Sequence, residues 1–139
     1  MPIVQFARNY QKAAISTSSP GQLVLMLFDG ALRAMGTAQA GFQIESIGPR
    51  IEQISNQLLK AQAILRELKG SLDLRNGGEF AGRMWALYDF MLDRLSIANR
   101  KKDPEPIGIV EKLLREVRDA WAVMLEKSAT EAAEAAEAA

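Results

Sequence analysis

The stretch "IEQISNQLLKAQAILRELKGSL", Ile51–Leu72, decides the fold. Its apolar residues Ile51, Ile54, Leu58, Ala61, Leu65, Leu68 and Leu72 step by three and four in alternation. At about 100° per residue that spacing keeps all of them on one side of an α-helix, the seam of a helical bundle. Upstream, "SIGPR" separates this helix from its predecessor, and downstream Gly70 and the turn "RNGGE" end it. The helix is expected from about Pro49 to Leu68 or Leu72.

The same reading extends in both directions. Ser19 can cap a helix whose first position is Pro20, with Gln22 where a capping box places its partner. That helix should run to about Phe42 or Ile44. A third is expected from about Glu79 to Asn99. "RKKDPEP" then breaks the chain, with Asp103 as cap and Pro104 at the first position of a fourth helix. The fourth repeats the seam with Val110, Leu114, Val117, Trp121 and Met124, and continues to at least Lys127. No alternating strand pattern occurs. Four helices of roughly 20 to 25 residues with short connections predict an all-α, antiparallel four-helix bundle. The expected divisions are an N-terminal segment 1–18, the bundle 19–127, and a frayed helical Ala/Glu tail 128–139.

Composition narrows the function. Seventeen basic and seventeen acidic residues cancel, so no global field draws nucleic acid or anionic membrane. The longest apolar run, Leu23–Phe28, is far shorter than the ~20 residues of a membrane span. "MPIVQFARNYQKAAIS" lacks the apolar core of a secretory signal, which predicts a cytosolic protein. The absence of cysteine and histidine removes disulfides, thiolate chemistry and the common nucleophile–base pairs. A helical di-metal site would need Glu-x-x-His motifs, so neither a metal nor another cofactor is expected.

Helices one and three are more apolar than a bundle seam requires. In helix one Leu23, Leu27, Ala31, Ala34 and Ala38 make a core stripe, and Leu25, Phe28, Leu32 and Met35 a second row beside it. Asp29 falls opposite the stripe, with Arg33 one turn on as an ion-pair partner. In helix three Phe80, Met84, Leu87, Met91, Leu95 and Ala98 make the stripe. Trp85, Tyr88 and Leu92 make the second row, with Asp89 and Asp93 pointing away. Central burial can account for such width; so can a partner surface, since localised apolar excess marks one. The N-terminal Ile3, Val4, Phe6, Tyr10 and Ile15 could cover it.

Tyr10, the run "ISTSSPGQLVLMLFDGALRAM" (Ile15–Met35), "LRELKGSLDLRNGGEFAGRMWALYDFMLDRLSIANRKKD" (Leu65–Asp103) and "VEKLLREVRDAWAVM" (Val110–Met124) resemble the flagellin export chaperone family, FliS. Ser19-Pro20, "MLFDGA", "GGE" and "LYDFM" fall in the family's order and spacing. Phe28 stands where the family often has tyrosine, and the resemblance implies nothing for the tail after Lys127. It implies a non-enzymatic cytosolic chaperone of flagellar type III export. Its client would be the disordered C-terminal segment of flagellin, held unpolymerised; other flagellar export or regulatory proteins are further candidate partners. A general helical adaptor of the export system is the alternative. On this reading Leu25, Phe28, Leu32, Met35, Trp85, Tyr88 and Leu92 line the client groove. Phe6 and Tyr10 belong to a lid, and nucleic acid and membrane insertion play no part.

Overall fold

The computed structural model describes residues 19–138, and they form four α-helices without strands. They are α1 (Pro20–Gly41), α2 (Ile47–Gly70), α3 (Gly78–Lys101) and α4 (Glu105–Ala138). Each packs against its neighbours in the order α1–α2–α3–α4–α1, so α1 and α3 stand on one diagonal. Short connections make consecutive helices antiparallel. One end of the bundle therefore gathers the start of α1, the end of α2, the start of α3 and the later turns of α4. The α1–α2 and α3–α4 connections close the other end.

Local chemistry explains the boundaries. The Gln22 amide donates to Ser19 Oγ at 3.1 Å, with Pro20 at the first position, which satisfies one of the amides a helix start leaves unpaired. Asp103 Oδ1 accepts from the Glu105 amide at 3.0 Å at the start of α4. Helix α2 begins at Ile47, before the expected Pro49, because a proline in the first turn forfeits no intrahelical bond. The tail is helical, as its composition predicts. Helix α4 runs unbroken to Ala138 with its last turns exposed, since alanine and glutamate favour helix and extend one already nucleated.

The core differs from the expected stripes. Ile54, Leu58, Ala61, Leu65 and Leu68 are buried in α2 as expected, while Ile51 is exposed. In α1, Phe28 and Met35 are as fully buried as Ala31, Ala34 and Ala38, and Leu23 and Leu27 are half-buried. The buried face is thus rotated towards the second row. Tyr88 joins the core of α3, whereas Phe80 is 61% exposed. Asp29 does not serve Arg33: its carboxylate accepts from Arg118 Nε of α4 at 2.8 Å, across the α1–α4 seam.

Candidate functional site: an apolar groove at one end of the bundle

The seams of α3 and α4 lose their cover in opposite chain directions, and at the same end of the molecule. Along α4, Val110 and Leu114 are fully buried, Val117 and Trp121 half-buried, and Met124 is 44% exposed. Along α3, Leu95 and Met91 are fully buried, Met84 half-buried, and Phe80 open to solvent. Between them lies a groove of about 540 Å³. Its walls are Val24 and Phe28 from α1, Leu68 from α2 and Leu72 from the turn that follows it. Phe80, Met84 and Tyr88 come from α3, and Val117, Trp121 and Met124 from α4.

Two local devices hold the walls. Trp121 packs edge-on to Phe28, centroids 6.2 Å apart at 82°, and its indole N–H donates to the Gly21 carbonyl at 2.9 Å. This fastens α4 to the first turn of α1. The α2–α3 turn forms the rim: Asp73 Oδ1 accepts from the amides of Arg75 and Asn76 at 3.1 Å, and Oδ2 from Asn76 Nδ2 at 3.0 Å. The Asn76 bonds hold the Asp73 carboxyl below its ordinary pKa. Gly77 approaches the Asp73 carbonyl so closely that a side chain would collide with backbone, and Gly78 takes φ +60°.

Chemically the groove can hold apolar surface and little else. Its polar groups are mostly committed: Ser71 Oγ donates to the Leu68 carbonyl at 2.7 Å, Asp73 serves the turn, and the Trp121 N–H serves Gly21. Among the described residues no cluster of His, Cys, Asp or Glu could hold a metal ion. No helix among them is long and apolar enough to cross a membrane.

Only Phe28 and Tyr88 of the seven expected groove residues reach this site. Met35 is in the core. Leu25 and Leu32 are half-buried on α1, Leu32 beside Asp29 and Arg118. Trp85 is 36% exposed beneath Lys69 Nζ, which lies 4.2 Å from its ring and also pairs with Asp89. Leu92 is half-buried, and its carbonyl accepts from Gln62. The two second rows meet in this groove only through Phe28 and Tyr88, because α1 and α3 stand on a diagonal of the bundle. Phe6 and Tyr10 lie outside the described residues. Sequence reasoning missed Phe80, Met84, Trp121 and Met124 as groove residues because their spacing is that of a seam. The usable signal was size: large aromatic and methionine side chains concentrate at one end of those seams.

The sequence profile of the family described as "Flagellar protein FliS" matches residues 4–128. The chain belongs to the FliS family. It is 35% identical over 119 residues to the flagellar secretion chaperone FliS of Salmonella typhimurium, covering 86% of each chain. Against the Bacillus subtilis FliS chaperone it is 35% identical over 112 residues, 81% of this chain and 80% of the relative. The Vibrio cholerae FliS chaperone is 32% identical over 116 residues, with 81% and 82% covered. FliS is a family of chaperones and not of enzymes. The end of α4, past residue 128, lies outside the matched span.

Proposed function

We propose that the chain is a cytosolic export chaperone that holds the disordered C-terminal segment of flagellin in the groove between α1, α3 and α4. One observation carries the reading: in a member of a flagellar secretion chaperone family, two helical seams end in Phe80, Met84, Trp121 and Met124 around an open apolar groove. A disordered amphipathic segment that folds onto such a groove buries its own adhesive face. While that face is occupied it cannot pair with another flagellin, and the client stays unpolymerised until export.

Calorimetric titration with the C-terminal segment of flagellin tests this. Met124→Asp and Phe80→Asp should each weaken binding by about 2 kcal/mol or more, because a desolvated apolar contact is exchanged for a charge. Both side chains are exposed in the free protein, so folding should be little affected. If both variants bind the segment as the parent does, the groove is not the client site.

Residues 1–18 act as a lid in this proposal. Ser19 opens α1 at the groove end, and the segment that precedes it in sequence carries the apolar Phe6 and Tyr10. A lid closed about 99% of the time reduces apparent affinity ~100-fold, since only the open fraction binds. Deleting residues 1–15 should tighten client binding and increase self-association of the free protein. Weaker binding by a folded deletion variant would rule out competition.

A further inference from the structure

The groove has one polar feature that nothing around it uses. Tyr88 is 3% exposed on the groove floor, and its hydroxyl makes no hydrogen bond with any other described residue. Burial alone pushes its pKa up to about 12, which reports apolar surroundings. A tyrosine hydroxyl in a groove wall needs a new partner once an occupant cuts it off from water. The other polar side chains of the lining are already spent on the Leu68 carbonyl, the Asp73 turn and the Gly21 carbonyl.

We propose that Tyr88 is the specificity-determining residue of the groove, and that its hydroxyl hydrogen-bonds an uncharged polar side chain, an amide or a hydroxyl, set within the apolar face of a bound helix. The inference rests on the groove being the client site. A side chain is required for specificity, because the carbonyls of a helix recur at every turn of any client and carry no sequence information. It is uncharged because an environment that disfavours a phenolate disfavours a carboxylate or ammonium too.

Such a contact also fixes register. Apolar walls accept an amphipathic helix in any of several positions one turn apart. Only one position meets Tyr88; a slip buries the client's polar group against apolar walls and leaves the hydroxyl unpaired. A site built around one hydrogen bond rejects the ligand that lacks it.

The test is a double-mutant cycle on the full chain. The probes are the flagellin C-terminal segment and variants in which each Asn, Gln, Ser or Thr on its apolar face is replaced by Leu. Each is titrated into the parent and into Tyr88→Phe, which keeps the ring and the packing; the urea midpoint verifies its fold. One probe variant should bind the parent about tenfold more weakly, the loss expected for one buried hydrogen bond, yet lose no more than about twofold against Tyr88→Phe. Equal losses against the two proteins overturn the inference while leaving the groove intact. Failure of the unsubstituted segment to bind, or binding insensitive to Met124→Asp, overturns the groove reading itself and the inference with it.

Discussion

The two ends of this bundle are made from the same helices and behave oppositely. From its middle to the closed end α1 presents Ala31, Ala34, Ala38 and Gly41, small residues that let it pack closely on α2, whose Ile54 and Leu58 are fully buried. A Cβ added at Gly41 would stand 3.0 Å from Ile54 Cγ1. Polar links then tie the helices pairwise. Gln39 Nε2 donates to the Pro104 carbonyl and to Glu111, Gln53 Nε2 to the Thr37 carbonyl, and Ser55 Oγ to Asn99 Oδ1. At the open end the helices carry Phe28, Phe80, Met84, Trp121 and Met124, which do not fill the space between them. Side-chain size along a helix, with spacing unchanged, thus separates a sealed core from an open groove.

The sharpest challenge to that contrast is truncation at matched positions. Ile54→Ala towards the closed end should cost about 2–5 kcal/mol by urea unfolding, because dense packing there resists collapse around the cavity. Met124→Ala at the open end should cost under about 1 kcal/mol, its side chain being 44% exposed. Equal losses would erase the distinction between the two ends.

Titration of Tyr88 probes how dry the groove floor is. Its pKa is raised by burial from 10.0 to about 12, so the folded state holds the phenol proton more tightly than the unfolded chain does. The associated stability is complete below pH 10 and is lost as pH rises through about 12. The full difference is on the order of 2–3 kcal/mol. Tyr88→Phe should remove that part of the alkaline slope; a slope unchanged in the variant would mean that water reaches the floor.

A smaller effect is expected at the rim. A Cβ at Gly77 would lie 2.5 Å from both the Asp73 carbonyl oxygen and Ala81 Cβ, so Gly77→Ala must displace the turn. The expected cost is about 1–3 kcal/mol, with altered client affinity because Gly77 lines the groove. Smallest is the Asp29–Arg118 pair, about one-third exposed on both sides. After screening by solvent, Arg118→Ala should change stability by less than about 1 kcal/mol, less still at high salt. A larger loss would make this pair a structural tie comparable to the closed-end links.

Much of the fold was legible because its signals are local. Ser19-Pro20, Asp103-Pro104 and the "NGG" turn act within a few residues, and the α2 seam is read from spacing alone. The groove was not, for a geometric reason. A helical wheel orders residues around one axis but carries no information about which helices are neighbours and which are diagonal. With α1 and α3 diagonal, Met35 faces the core and Trp85 lies under Lys69, although both belong to wheel rows that look alike. The Asp29–Arg118 contact spans 89 positions and was equally invisible, while Arg33 offered a local partner. Helix α4 beyond Lys127 was legible as helix from propensity alone, since its alanines and glutamates are good helix formers.

The two tryptophans occupy the two kinds of surface described above, and this makes the protein its own optical reporter. Trp121 stands in the groove wall with its indole N–H held by Gly21, and Trp85 lies outside the groove under the Lys69 ammonium. An occupant of the groove dries the Trp121 indole and moves its fluorescence to shorter wavelength, leaving the Trp85 emission as an internal reference. In Trp85→Phe the entire signal comes from the groove, so filling and emptying of the site can be followed in real time without attaching a dye.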